Sequence, residues 1–331
     1  MGYWSGSLRT RELISTHDLT KRFGNLTAVD NLNMTIRSGE IYGLLGPNGS
    51  GKTTTIKLLL GILRPTSGVI NIFGEVFNPN KLHIKSKIGV VPEKHPFDLG
   101  SSINALDYLS FFGDLYRVKN KIDRIGSLLK KVELYEVRNR RINEYSRGML
   151  QKLSITRALL SEPEILFLDE PISGLDPIGI KQVRDLIKNE NERGKTIVIS
   201  SHLLSEVEKI CHRFALIHRG RLLIESSLEE INKMLGKKTK VVVEVESPDE
   251  RVTSKLEKLS YVENVSIINN FYHITITTHM DIRKELSSIF MNSGLPPLSI
   301  AVPKLTLEEA FITLTDENLS LFPGVKNGTR V

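Results

Sequence analysis

The chain has a single cysteine among its 331 residues, Cys211 in EVEKICHRFALI. One thiol excludes an internal disulfide and fits a reducing compartment, with a buried core position as its expected place. Long apolar runs are missing too: Lys, Glu, Asp or Gly interrupts each of them before the roughly 18 residues that a membrane-crossing helix requires. The opening MGYWSGSLRTREL lacks the apolar stretch of a secretory leader, and Gly6 stands where a myristoylation motif carries Ser or Thr. A cytoplasmic protein is expected. Aromatic residues are only 6% of the chain, and the Lys and Arg behind its net charge of +7 are dispersed rather than interleaved with them. That pattern argues against nucleic acid as a partner and agrees with work beside an anionic membrane surface. At this length, with 40% hydrophobic and 25% charged residues, two globular domains are expected.

What is present begins with EIYGLLGPNGSGKTTTIKLLLGIL, which matches G-x-x-x-x-G-K-[ST] from Gly46 to Thr53. An apolar strand over 41–45 precedes the motif, and a helix carrying Ile56, Leu59, Leu60 and Leu63 follows it. Gly46, Gly49 and Gly51 let the backbone wrap so that successive N–H groups point inward, and the helix adds its positive end. Lys52 then reaches the β- and γ-phosphates of a nucleotide, and the Thr53 hydroxyl is placed to ligate Mg²⁺.

Two later apolar runs end in polar residues. In EPEILFLDEP a buried parallel strand over 165–168 carries Asp169 and Glu170 at its carboxyl end. In GKTIVISSHLLSEVE a second, over 196–199, is followed by His202. Open α/β sheets bind ligands outside the carboxyl ends of their strands, so these groups should converge with the cradle on one crevice. Asp169 would hold Mg²⁺, Glu170 would orient and polarise a water, and His202 would contact the γ-phosphate region. Taken alone, the carboxylates would be a solvated turn and His202 a surface histidine; the cradle is what makes the chemical reading the stronger.

YSRGM, residues 145–149, puts a good N-cap, Ser146, before the helical run MLQKLSITRALL, and Gly148 permits close backbone approach in its first turn. It is a second helix N-terminus suited to an anion. The order of these motifs over 13–232 resembles the ATP-binding-cassette (ABC) ATPases, with YSRGM in place of the usual LSGGQ signature. The resemblance implies a P-loop NTPase cassette with a helical signature subdomain at about 95–160. It implies ATP and Mg²⁺ as ligands, with nucleotide contacts from Phe23, Gly46, Pro47, Asn48, Gly49, Ser50, Gly51, Lys52, Thr53 and Thr54. Thr53 and Asp169 would serve the metal, and Glu170 and His202 catalysis. It further implies that two cassettes pair head to tail, so that Ser146, Arg147, Gly148 and Met149 serve the nucleotide held by a second copy or a homologous cassette. Ser173 and Asp176 of ISGLDP match the D-loop at that interface. Two separate membrane-spanning permease subunits would hold the chain on the cytoplasmic face of the membrane.

Two departures narrow the resemblance. Glu93 stands where many cassettes have the Q-loop glutamine; a carboxylate can approach the metal through water but cannot donate as an amide does. Arg147 replaces the signature's first glycine and is expected to bring positive charge near the partner's phosphates. Both, with the run from Pro92 to Tyr116, resemble the ABC-2 type exporters, in which the loop 93–97 transmits motion to the membrane subunits. Two rival readings are an importer ATPase with a ligand-sensing tail and a soluble cassette ATPase acting on DNA or ribosomes.

After the cassette, assigned to 13–235, GKKTK at 236–240 reads as a linker. The order then becomes strand, helix, a hairpin turning at Asn269 and Asn270, helix and strand, a βαββαβ pattern of ferredoxin-like type over 241–316. Phe271 falls on one side of its strand and Ile274 and Ile276 on the other, which suggests two buried faces. A last helix would pack Leu305, Leu307, Ala310, Phe311 and Leu314, with a loose tail over 317–331. His273 and His279 have no partners at ligand spacing.

Overall fold

The computed structural model describes residues 11–94, 103–235, 239–277, 281–303 and 306–312. The chain divides into two compact units, one ending at Ser226 and the other starting at Ser227. No helix among the described residues is long and apolar enough to cross a membrane.

The first unit holds two sheets. β1 (Glu12–Phe23), β2 (Leu26–Arg37), β4 (Ser67–Ile72) and β5 (Glu75–Val76) form an antiparallel sheet in the order β2-β1-β4-β5. The other sheet runs β10-β9-β3-β8-β7-β6, from β3 (Ile41–Leu45), β6 (Ile88–Val91), β7 (Ile165–Asp169), β8 (Thr196–Ser201), β9 (Arg213–His218) and β10 (Arg221–Ser226). Its strands are parallel except β10, which pairs antiparallel with β9 at the edge. Every residue of β3, β7 and β8 is buried, because each strand has a neighbour on both sides and a layer over both faces. That is why they read as unbroken apolar runs instead of alternating ones. Leu13, Ile14, Leu32 and Met34 of the antiparallel sheet share one core with Tyr42, Phe167 and Val198 of the parallel one.

Between β6 and β7 lie the helices Ala105–Leu115, Lys121–Lys131 and Arg147–Leu159. Asn104 caps the first by accepting from the Asp107 amide at 2.8 Å. Arg124 of the second donates to the Leu159 carbonyl of the third at 2.9 Å. Arg157 of the third reaches the Val90 carbonyl of β6, also at 2.9 Å, so the signature helix is tied to the strand that leads to Glu93. Cys211 is half-buried, and burial together with the nearby charge of Glu40 pushes its thiol well up from the usual range.

The second unit opens with the helix Leu228–Leu235 and continues as β11 (Thr239–Glu244), helix Glu250–Leu256, β12 (Val262–Ile268), β13 (Phe271–Ile276), helix Arg283–Asn292 and β14 (Ser299–Ala301). The strands pair antiparallel in the order β12-β13-β11-β14, the ferredoxin-like arrangement expected from the element pattern. Thr239 and Lys240, read from sequence as the end of a linker, already pair with Ile276 and Thr275. One face of the sheet carries the core: Val241, Val243, Tyr272, Ile274 and Ile276 pack with Leu286 and Phe290 of a covering helix. Phe271, expected to mark a second buried face, is exposed. A helical turn over 307–312 buries Leu307 and Ala310; Leu305, Leu314, His279 and the tail fall outside the described residues.

Candidate active site

The cradle follows β3 directly. Gly46 leaves the strand with φ 151° beside β9, and a Cβ there would stand 2.1 Å from the Ile217 carbonyl oxygen, so only glycine fits. Lys52 opens the helix Lys52–Leu59 yet is 5% exposed. Its Nζ donates to the carbonyls of Gly46 (2.8 Å) and Pro47 (3.1 Å) and stands 3.7 Å from Glu170 Oε1. Burial holds the Lys52 ammonium below the usual lysine range, opposed by the charges of Glu170 and Asp169 and, less strongly, Glu93.

The carboxylates sit at the end of β7, where β8 lies alongside. Ser200 of β8 donates to Asp169 Oδ1 at 2.5 Å, and Thr53 Oγ1 donates to the same oxygen at 3.4 Å. Glu170 adopts φ 51°, a conformation that costs a non-glycine residue about 1–3 kcal/mol and must be held by its surroundings. Its amide is fixed by Ser200, donating to the carbonyl at 3.2 Å and to Oγ at 3.0 Å. The turned backbone aims the side chain at His202, whose Nδ1 donates to Glu170 Oε2 at 2.8 Å. β7 and β8 thus bring the two together from positions 32 residues apart.

A cavity of about 850 Å³ opens over these groups. Phe23, Asn48, Gly49, Gly51, Lys52, Thr53, Thr54, Glu93, Glu170 and His202 line it, as does Ser173, expected instead at the joint between copies; Gly46, Pro47, Ser50 and Asp169, expected as nucleotide or metal contacts, do not. Leu26, Thr27, Ala28, Arg219 and Gly220 line it as well and escaped the sequence reading. Leu26, Thr27 and Ala28 open β2, whereas Arg219 and Gly220 form the two-residue β9–β10 turn, where both take positive φ; the glycine in HRGR was the sequence signal for that turn. Phe23 is 46% exposed, a ring free to stack, with Lys21 Nζ 5.1 Å from its centroid.

The signature stands elsewhere. Ser146 accepts from the Met149 amide at 3.3 Å and so caps its helix as expected, while the buried Tyr145 anchors the segment by donating to the Val137 carbonyl at 2.8 Å. Ser146, Arg147, Gly148 and Met149 do not line the cavity. Asp176 serves as the N-cap of the helix Pro177–Glu192, accepting from the Gly179 amide at 3.0 Å. Residues 95–97 of the loop after Glu93 lie outside the described residues.

A phosphate cradle on a parallel sheet, with a lysine, a Thr–Asp oxygen pair and a Glu–His pair over one cavity, defines a P-loop ATPase. Comparison with known proteins makes this specific. The model of the ABC transporter family matches residues 29–173. The bacitracin transport ATP-binding protein BcrA of Bacillus licheniformis is 38% identical, over 91% of this chain and 97% of that protein. The Nod factor export ATP-binding protein I of Burkholderia lata is 31% identical, over 92% and 98%. Among solved structures, a dimeric ATP-binding cassette in a post-hydrolysis state with ADP and Pi is 28% identical, covering 65% of this chain and 98% of that one with a TM-score of 0.58. The chain belongs to the ATP-binding subunits of ABC transporters and is an ATP-hydrolysing subunit of exporter type.

Proposed function

We propose that Glu170 orients and polarises the attacking water, that His202 steadies Glu170 and contacts the transferred γ-phosphoryl, and that Lys52 with the 46–54 backbone binds the phosphates. The observation that carries this reading is the Glu170 carboxylate held between His202 and Lys52 at the floor of the cavity. Because a carboxylate can only accept, His202 donates through Nδ1 and keeps Nε2 for a second contact. Thr53 and Asp169 offer oxygen atoms within 3.4 Å of one another, the donor type that Mg²⁺ prefers, and they would hold it. The metal would neutralise charge on the phosphates. Glu93 would approach it through water, and Phe23 would stack on the adenine.

Signature residues lying outside their own chain's cavity support a shared site, in which Ser146 to Met149 of one copy close on the nucleotide held by another. Ser173 and Asp176 then belong to the joint between copies. The chain would sit on the cytoplasmic face of the membrane, held by two permease subunits that select the substrate. The bacitracin transport and Nod factor export of its relatives support an organic molecule moved outward. Nucleotide binding and turnover by Glu170→Gln test the core of this reading. ATP affinity should stay within about twofold while turnover falls by about a thousandfold or more; near-normal hydrolysis would remove Glu170 from its role.

A further inference from the structure

The signature carries a guanidinium where the local electrostatics oppose one. Arg147 opens the helix Arg147–Leu159, so its charge lies at the end where unpaired backbone N–H groups already concentrate positive potential. Its exposed side chain makes a contact within the chain. A Cβ built on Gly174 would stand 2.2 Å from one terminal nitrogen of Arg147, 2.4 Å from its central carbon and 2.8 Å from the other nitrogen. The guanidinium therefore rests on the backbone of Gly174, where a methyl group would have to push this exposed, flexible side-chain end aside. Arg147 is the residue expected from sequence to approach a partner's phosphates.

Gly174 lies in the turn between Glu170 and the helix Pro177–Glu192, and both ends of that turn are fixed. Glu170 is pinned to Ser200, and the Ser173 amide donates to the Glu170 carbonyl at 3.2 Å. At the other end Asp176 caps the helix. Arg147 touches the middle, where φ is 66°.

We propose that Arg147 is a positioning residue: its guanidinium on Gly174 ties the signature to the D-loop of the same chain, so that both meet a second copy as one edge. This rests on the shared-site reading given above. The planar group is what the contact uses, so a lysine does not replace it.

The test is a double-mutant cycle in the full chain, reading ATP turnover against ATP concentration together with ADP affinity. Gly174→Ala, which displaces the guanidinium and also strains a backbone at φ 66°, should lower kcat by about tenfold and Arg147→Ala by about threefold, with Arg147→Lys behaving like Arg147→Ala. The double variant should be no slower than Gly174→Ala alone, because the new methyl has already displaced the guanidinium. ADP affinity, set by the chain's own cradle, should stay within about twofold throughout, which a general loss of folding would not allow. Losses that multiply in the double variant, or an unchanged kcat for Gly174→Ala, overturn the proposal. If Gly174→Ala does not fold, Gly174→Asn, which tolerates positive φ, takes its place in the cycle. The shared-site reading is separated by Ser146→Arg in a Glu170→Gln background, followed by ATP-dependent dimerisation. If dimerisation survives, that reading falls, and the second half of the proposal with it. If dimerisation is lost while the cycle is multiplicative, only the Arg147 contact falls.

Discussion

Glu170 is gripped from both sides: His202 Nδ1 lies 2.8 Å from Oε2, and Lys52 Nζ lies 3.7 Å from Oε1. One carboxylate thus joins the end of β7, the loop after β8 and the cradle after β3. A substitution at any of the three alters the surroundings of the other two.

His202→Ala leaves Glu170 facing only Lys52. ATP affinity should change by about twofold or less, while kcat falls by roughly 10²–10⁴, the range for a positioned proton-handling group. Steady-state kinetics beside equilibrium nucleotide binding would measure both; equal losses in the two would mean that His202 acts mainly in binding.

Gly46→Ala puts a methyl group 2.1 Å from a β9 carbonyl that its own strand pairing holds in place. The expected cost is about 2 kcal/mol or more of stability together with lost nucleotide affinity. Thermal melting with and without ATP checks this, and a normal melting temperature that still rises with ATP would contradict it.

The lowered pKa of Lys52 gives a pH dependence with a definite sign. In the nucleotide-free chain, burial disfavours the charged form, so the protonated lysine costs stability, and that cost fades as pH rises through the folded pKa, below 10.5. Phosphate favours the charged form and draws a proton onto Lys52. ATP affinity should therefore fall as pH climbs above that lowered value, whereas Lys52→Arg should be flat there. A wild-type affinity that stays constant from neutral pH up to 10.5 would sink this account of the lysine.

Much of this was legible in the chain because the relevant physics is local. The cradle needs its glycines in sequence, buried parallel strands need unbroken apolar runs, and Ser146 needs only the helix behind it. The run over 41–45 coincides with β3, and the hairpin at Asn269 and Asn270 joins β12 to β13. What stayed hidden depends on pairing between distant segments. Arg219 and Gly220 reach the cavity only because β9 lies beside β3, and the contact between Arg147 and Gly174 spans 27 residues that fold across the signature helix and β7. Phe271 is exposed in the single chain: alternation tells which residues share a face, but the layer above that face decides whether it is buried.

The two units have separate cores, one drawn from residues 13–222 and the other from 241–300. Every residue lining the cavity belongs to the first. A chain ending at Gly236 should keep its ADP affinity within about twofold. A loss of tenfold or more, measured by calorimetry on the folded fragment, would give the second unit a part in nucleotide binding.

The central claim is that the nucleotide is held between two copies, cradle from one and signature from the other. Sedimentation with ATP tests it most directly, using a Ser146→Arg chain that also carries Glu170→Gln, a Lys52→Ala chain, and an equimolar mixture of the two. Each chain alone should remain monomeric, since neither can build a complete site. The mixture should form dimers with one intact site. A Ser146→Arg, Glu170→Gln chain that dimerises by itself as readily as Glu170→Gln does would contradict the account.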